Sequence, residues 1–101
     1  MRQRDQMNAS STASVLLFHE VGLHARPSVK LTKLAKSFAS QIEVAPAPEG
    51  PWIDAKSIVK VMAVKAPKDT ILHFRATGED ADRALAALVR LIETDFADET
   101  V

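Results

Sequence analysis

Residues 15–38 have the sequence VLLFHEVGLHARPSVKLTKLAKSF, and this stretch decides the fold. The apolar run from Val15 to Glu20 predicts a strand, and Gly22 marks a turn after it. Beyond the turn, apolar residues recur with the 3.6-residue period of a helix, at Leu31, Leu34, Ala35 and Phe38. We therefore expect a strand that turns directly into an amphipathic helix over about residues 25–39.

The rest of the chain continues with shorter strand and helix patterns. Gln41 to Ala45 and residues 52–54 predict two strands joined by a proline-rich loop, and residues 70–77 predict a fourth strand. We interpret residues 58–64 as a short helix, and Gly78-Glu79-Asp80 as the start of a final helix with Asp80 as its N-cap. The order β-α-β-β-α-β-α predicts an α+β, open-faced β-sandwich: a four-stranded, mostly antiparallel sheet with three helices on one face.

Composition limits the classes of protein that fit. The chain has 101 residues, of which 47% are hydrophobic and 26% charged, so we expect one globular domain. Because it has no cysteine, disulfides, thiol catalysis and thiolate metal sites are excluded, and we expect a cytoplasmic protein. No apolar run is long enough for a membrane span, no signal-peptide pattern is visible, and zero net charge argues against nucleic acid as the main partner.

The neutral total hides a polarised chain. Residues 20–38 carry a net charge of +3, whereas residues 79–101 carry −5. Residues 1–14 are small and polar without a period, which predicts a disordered tail. We expect the domain to span residues 15–96 and to be followed by an acidic tail at residues 97–101.

The segment Gly22-Leu23-His24-Ala25-Arg26-Pro27 carries the most informative chemistry. Proline is tolerated in the first turn of a helix, so His24 is expected at or next to the N-cap. Free backbone N–H groups and the helix dipole favour an anion there, and Arg26 adds a fixed positive charge. His24 is therefore a candidate phosphoacceptor, and the alternative is that its side chain merely caps the helix.

This segment, followed by Ala55-Lys56-Ser57-Ile58 and by Gly78-Glu79-Asp80, resembles the histidine-containing phosphocarrier proteins, HPr, of the bacterial phosphoenolpyruvate-dependent phosphotransferase system. The resemblance runs from about Val15 to Phe96, and the predicted element order is that of the family.

The resemblance implies a relay in which Enzyme I phosphorylates His24 at Nδ1 and an Enzyme IIA domain receives the phosphoryl group. Arg26 would neutralise the transferred group, and Pro27 would fix the turn. Such a protein is a carrier rather than an independent enzyme, and it needs no cofactor or metal. A monomer is expected.

Ser57 matches the position that HPr kinase phosphorylates in some members of the family, although a serine before an apolar helical run is also a good N-cap. The alternative function is a regulatory binding protein that acts through the Ser57 surface without phosphotransfer. A carrier dedicated to one specialised branch of the system is a third interpretation.

A docking patch beside His24 is predicted from Lys56, Lys60, Ile58 and Val59, together with Met62. For Ile58, Val61 and Met62, the alternative is that at least half of these side chains pack in the core. For Lys30, Lys33 and Lys36, a solvated face and the steering of partners are equal alternatives.

Three further expectations concern the remainder of the fold. His19 and His73 are assigned to strands with structural roles. Leu16, Phe18 and Trp52 are expected on the open face of the sheet, as a contact or oligomer surface. Lys65 and Asp69 stand near positions where the family usually has glycine, Ser28 stands where alanine is usual, and the course of the loop from Val64 to Asp69 is left open.

Overall fold

The computed structural model describes residues 10–97, and its sheet has four strands. These are β1 (Ser10–Leu17), β2 (Gln41–Ala45), β3 (Ile53–Asp54) and β4 (Thr70–Thr77), in the spatial order β1-β4-β2-β3. Each neighbouring pair is antiparallel. β1 and β4 pair over eight residues each, so the two longest strands lie side by side and form the most extensive part of the sheet.

Three helices cover one face of this sheet. They are α1 (Ala25–Lys36), α2 (Ile58–Val64) and α3 (Ala81–Glu93). The element order and the open-faced α+β sandwich predicted from the sequence are confirmed. Within residues 10–97, no helix has the length and apolar character that a membrane crossing requires.

The core lies between the helices and the inner face of the sheet. Phe74, Leu72 and Leu17 are fully buried in the strands, and Leu31, Leu88 and Ile92 are fully buried on the helices that face them. Burial of each such side chain contributes about 1.5–3 kcal/mol. The alternating apolar residues of β4 and the helically spaced apolar residues of α1 and α3 all pack into this single apolar layer.

The first strand differs from the prediction. It begins at Ser10 rather than Val15 and ends at Leu17 rather than Glu20. Ser10–Ser14 pair with Thr77–His73 of β4, because ladder hydrogen bonds come from the backbone and need no apolar side chains. Residues 10–14 were predicted to belong to a disordered tail and instead form strand; residues 1–9, like residues 98–101 of the predicted acidic tail, lie outside the described part of the chain.

The first helix is shorter than predicted, and Asp80 explains why. α1 ends at Lys36, whereas the sequence suggested Ala39. The Asp80 carboxylate accepts hydrogen bonds from the backbone N–H groups of Ala39 and Ser40, both at 2.9 Å, and from the Ser40 hydroxyl. These bonds draw the chain away from the helical path and into β2.

Asp80 occupies the N-cap position of α3, as predicted, but its side chain makes no capping bond to that helix. Its carboxylate is committed to the bend before β2 instead. Hydrogen bonding, first from the Ser40 hydroxyl and then from the Ala39 N–H, lowers the pKa of Asp80 to about 2.

The open face of the sheet carries apolar side chains, as predicted. Leu16 and Phe18 are 46% and 40% exposed, and Ile71, the register partner of Leu16, is 50% exposed. Trp52 is half-buried, because the Arg75 guanidinium lies 4.2 Å from its ring centre. Glu43 holds that guanidinium at 2.5 Å, so Trp52 is covered by a fixed cation.

Candidate functional site

His24 occupies the N-cap of α1, as predicted from the sequence. Its backbone is extended, with φ −95° and ψ −167°, and its side chain is exposed. The imidazole makes no capping hydrogen bond to the helix. The structure therefore does not show the alternative role of His24 as a side-chain cap, and the ring is open to solvent.

The first turn of α1 presents a positive electrostatic end beside this ring. The N–H of Ser28 already bonds to the His24 carbonyl at 2.9 Å, and Pro27 has no N–H. The N–H groups of Ala25 and Arg26 belong to the turn in which a helix has no internal acceptor. No acidic side chain lies in this first turn, so nothing there neutralises the helix dipole.

Arg26 and Pro27, in the same turn, differ in their exposure. The Arg26 side chain is exposed and makes no hydrogen bond or ion pair with any residue between 10 and 97. Its guanidinium is therefore available to an anion at His24. Pro27 is fully buried, which anchors the start of the helix in the core.

The loop that carries His24 is held against the segment after α2. The N–H of Leu23 donates to the Ala66 carbonyl at 2.8 Å, and the N–H of His24 donates to the Gly22 carbonyl at 2.9 Å. Gly22 has φ +70°, and a Cβ atom built there would lie 2.4 Å from the Ala66 oxygen. Only glycine fits this close approach, which accounts for the residue type in the motif.

The loop from Val64 to Asp69, left open by the sequence, is shaped by two residues in left-handed conformations. Lys65 ends α2 with φ 51°, and Asp69 has φ 75°. Lys65 thereby turns the chain so that Ala66 meets Leu23, and the N–H of Asp69 bonds to the Leu17 carbonyl at 2.6 Å. Both residues adopt the geometry usually given to glycine.

A shallow depression joins His24 to the end of α2. It is lined by Val21, Leu23, His24, Ala25, Met62, Lys65, Ala66 and Pro67. The structure therefore brings the His24 loop and the second helix together on one surface.

The residues predicted for docking differ in how accessible they are. Val59 is 74% exposed, and Lys60 and Met62 are also exposed. Ile58 is half-buried, whereas Val61 is fully buried and belongs to the core.

Lys56 is tied to the protein itself. Its side chain is half-buried, and its ammonium donates to the Phe38 carbonyl at 2.8 Å. This bond links the start of α2 to the segment that follows α1.

Ser57 has the capping role that its sequence context suggested. Its hydroxyl oxygen accepts a hydrogen bond from the Lys60 N–H at 3.3 Å, and its backbone is extended as an N-cap requires. The side chain is half-buried.

Comparisons with known proteins assign the family. The family model described as "PTS HPr component phosphorylation site" matches residues 4–94. The chain belongs to the HPr family of phosphocarrier proteins. It is 40% identical over 82 residues to the phosphocarrier protein HPr of Pseudomonas aeruginosa, which covers 81% of this chain and 90% of that protein.

Two further likenesses, one in sequence and one in fold, agree with this family assignment. The chain is 41% identical over 78 residues to a multiphosphoryl transfer protein of Vibrio cholerae, covering 76% of this chain and 20% of that protein. A crystal structure of HPr from Thermoanaerobacter tengcongensis superposes with a TM-score of 0.79 at 32% identity, covering 88% of this chain and 98% of that one. This chain is accordingly an HPr-family phosphocarrier.

The other two histidines of this HPr-family chain lie away from the α1 N-terminus. His73 lies in β4, as predicted, and is half-buried there. His19 was assigned to a strand, but β1 ends at Leu17, and His19 lies in the loop that leads to His24. The described residues hold no group of three or more side chains suited to a metal ion.

The surroundings of His19 were not predicted from the sequence. Its Nδ1 lies 2.8 Å from Asp95 Oδ1, and its ring packs edge-on against Phe96 with centres 5.6 Å apart. Lys30, assigned to a solvated or steering face, donates from Nζ to the Phe96 carbonyl at 2.8 Å. These partners are more than 60 residues apart in the chain, and no local pattern signals such contacts.

Proposed function

We propose that His24 is the phosphoacceptor through which this HPr-family protein performs phosphoryl transfer. The observation that carries the proposal is the exposed imidazole at the N-cap of α1, which makes no capping hydrogen bond and lies beside a first turn that contains no acid. A phosphoryl group on that ring would lie at the positive end of the helix. The helix end stabilises an anion there by about 0.3–1 kcal/mol, and more where the site is partly buried.

The chemistry is a displacement at phosphorus. The lone pair of neutral His24, at Nδ1 as the family resemblance implies, forms an N–P bond while the bond between phosphorus and the donor breaks. The electron pair of the broken bond leaves with the donor. In the second transfer His24 is the donor: the next acceptor attacks the phosphorus, and the N–P bond to His24 breaks.

Arg26 and Pro27 support this step in different ways. The exposed guanidinium of Arg26, two residues after His24, would pair with the oxygens of a phosphoryl group on His24. That group carries a charge of about −2 at neutral pH. Buried Pro27 fixes the first turn and, with it, the direction in which the ring projects.

The proposed partners are Enzyme I as donor and an Enzyme IIA domain as acceptor. The exposed Val59 and Met62 provide an apolar surface, and Lys60 beside them adds positive charge. Ile58 is half-buried and contributes its exposed part. Such a mixed surface suits transient docking of an acidic partner. We propose in addition that the carrier is a monomer and that it acts in the cytoplasm.

Transfer through the whole relay tests this proposal. The full chain would be incubated with phosphoenolpyruvate and Enzyme I, and an Enzyme IIA domain would then be added. We expect the carrier to gain the phosphoryl group and to lose it to the IIA domain. Arg26→Ala is expected to slow uptake by at least about tenfold, since one donor to developing charge is commonly worth that much or more.

A matched control is Arg83→Ala, which removes an exposed arginine from α3. It is expected to transfer at the wild-type rate. A wild-type protein that accepts the group but never passes it to any IIA domain would contradict the proposed second half of the relay.

Ser57 is proposed as a regulatory modification site for an HPr kinase. The half-buried Ser57 lies two residues before the exposed apolar residue Val59, so a phosphate on it would add charge to the proposed docking surface. An acidic partner would then be repelled. Incubation with an HPr kinase and ATP should add phosphate to the wild type and not to Ser57→Ala, and Ser57→Asp should slow uptake from Enzyme I. Uptake by Ser57→Asp at the wild-type rate would contradict the regulatory role.

A further inference from the structure

The chain leaves α3 through two consecutive residues in left-handed conformations. Asp95 has φ 56° and Phe96 has φ 60°, and neither is glycine. The N–H of Phe96 bonds to the Leu91 carbonyl at 2.7 Å, and that of Asp95 bonds to the Ile92 carbonyl at 2.9 Å. This pair of bonds is a Schellman ending, which usually has glycine at the position of Asp95. Glycine would therefore adopt the backbone conformation of residue 95 with less strain than aspartate does.

Asp95 and Phe96 make contacts that a helix ending does not need. The Asp95 carboxylate accepts a hydrogen bond from His19 Nδ1–H at 2.8 Å. The Phe96 ring is buried in the core and meets the His19 ring edge-on, with an angle of 82° between the planes. The Phe96 carbonyl accepts a hydrogen bond from Lys30 Nζ at 2.8 Å.

These contacts fall on both sides of the phosphoacceptor in the chain. His19 comes five residues before His24, and Lys30 comes six residues after it, on the helix that His24 begins. The His19 carbonyl also accepts the Gly22 N–H at 2.8 Å, and the Gly22 carbonyl accepts the His24 N–H. A continuous set of hydrogen bonds thus runs from Asp95 through His19 and Gly22 to the backbone of His24.

We propose that Asp95 and Phe96 position the phosphoacceptor loop, acting through His19 and Lys30. We call these four residues the C-terminal clasp. The Ala66 carbonyl holds the loop from the side of α2, and the clasp holds it from the side of α3. The inference rests on the proposed role of His24, and its structural half is measurable without phosphorylation.

The clasp is expected to affect the rate of phosphoryl uptake by positioning the loop, without taking part in bond formation at phosphorus. His19 and Asp95 bond to each other, Lys30 bonds to the Phe96 carbonyl, and Phe96 is buried, so we treat all four as positioning residues. Displacement of a reacting group by about 1 Å can slow a reaction by up to about a hundredfold, and partial loosening of one of two anchors is expected to cost less. We expect phosphoryl uptake to slow by about three- to tenfold when the clasp is opened, with full occupancy still reached.

Asp95→Gly separates positioning from stability. Glycine suits the left-handed position better than aspartate, so the ending of α3 is retained or strengthened while the bond to His19 is lost. Glu93→Gln is the matched control, because it removes one exposed negative charge from the same helix end without touching His19. His19→Ala opens the same bond from the other side, and His19→Asn restores an N–H donor and should recover part of the rate.

Two measurements on the full-length variants decide the proposal. The first is the rate of uptake from phosphorylated Enzyme I, and the second is amide hydrogen exchange at Gly22, Leu23 and His24 without any donor. The clasp predicts slower uptake and faster exchange in Asp95→Gly and His19→Ala, with unfolding midpoints at or above that of the wild type for Asp95→Gly. Wild-type uptake and wild-type exchange in Asp95→Gly would overturn it. A wild-type protein that takes up no phosphoryl group would contradict the role of His24, while the exchange comparison would still decide whether the clasp holds the loop.

Discussion

At the scale of single residues, the site depends on two left-handed backbone conformations, one at a glycine and one at a lysine. Gly22 adopts a left-handed conformation and touches the Ala66 carbonyl, a contact that no side chain permits. Lys65 adopts a left-handed conformation although it is not glycine, and it places that carbonyl. The two residues together bring the His24 loop onto the end of α2. One of them is suited to its conformation, and the other is held in it by the surrounding fold.

Gly22→Ala is expected to lower the free energy of unfolding by about 2 kcal/mol, because the added Cβ meets backbone atoms and the positive φ becomes strained. Chemical denaturation measures the change. Val21→Ala, which alters an exposed side chain in the same loop, should change it by less than about 0.5 kcal/mol. Equal stability of Gly22→Ala and the wild type would show that the loop is not packed on Ala66.

The sequence predicted residue types at the site better than residue contacts. The positions of His24, Arg26 and Pro27 at the start of α1 followed from a local motif, since proline and glycine constrain the backbone directly. The bonds of His19 to Asp95 and of Lys30 to Phe96 did not follow, because they depend on how distant elements pack. Asp80 is the N-cap residue of α3, as predicted, but its carboxylate does not cap the helix, because it accepts hydrogen bonds from Ser40 and Ala39 instead.

At the scale of elements, α1 combines a functional start with an imperfect buried face. Ser28 is fully buried and Thr32 is 4% exposed, and neither hydroxyl has a hydrogen-bond partner among residues 10–97. They lie one helical turn apart on the side that packs against the core. A buried hydroxyl without a partner costs stability, so this face is less favourable than an apolar one would be.

Ser28→Ala is therefore expected to raise the free energy of unfolding by about 1 kcal/mol, from removal of the unpaired hydroxyl and from the higher helix propensity of alanine. The backbone bond from residue 28 to the His24 carbonyl is unaffected, so phosphoryl uptake should stay at the wild-type rate. Ser37→Ala is the control, because the exposed Ser37 hydroxyl already donates to the Leu34 carbonyl at 2.6 Å. Destabilisation by Ser28→Ala would mean that the Ser28 hydroxyl has a partner after all.

The bend between α1 and β2 depends on the ionised form of Asp80. The pKa of Asp80 in the folded protein, about 2, lies below its usual range. The stabilisation it provides is therefore complete above about pH 4 and is lost as the pH falls toward 2. Asp80→Asn removes the titrating group, so we expect it to lower stability at neutral pH and to flatten the decline between pH 4 and 2.

Unfolding curves at a series of pH values test this expectation. Glu79→Gln removes the neighbouring exposed carboxylate, which makes no side-chain hydrogen bond within residues 10–97, and should keep the wild-type decline. If Asp80→Asn and the wild type lose stability in parallel over this interval, the carboxylate does not hold the bend.

At the scale of the whole molecule, the neutral net charge is the sum of a basic segment near one end of the chain and an acidic segment at the other. Residues 20–38, with a net charge of +3, contain the His24 loop and α1. The acidic excess lies in and beyond α3. A phosphoryl group of about −2 would offset most of the positive charge around His24, so docking to a donor would weaken once transfer is complete.

The fold at this scale was largely predictable from the sequence, whereas the boundaries of its first strand were not. Helical periods and strand alternation reflect the single apolar layer between helices and sheet, so the element order was recovered. Ser10–Ser14 carry no apolar alternation, and their strand is determined by pairing with β4. The course of the loop from Val64 to Asp69 depended on two non-glycine residues in left-handed conformations, which sequence patterns do not reveal.

The most direct test of the central claim compares the three histidines of the chain as phosphoacceptors. The wild type, His24→Ala, His19→Ala and His73→Ala would each be incubated to completion with phosphoenolpyruvate and Enzyme I, and their intact masses measured. We expect one acid-labile phosphoryl group on the wild type, on His19→Ala and on His73→Ala, and none on His24→Ala. A wild-type protein that gains no phosphoryl group from active Enzyme I, or a His24→Ala protein that still gains one, would contradict the account.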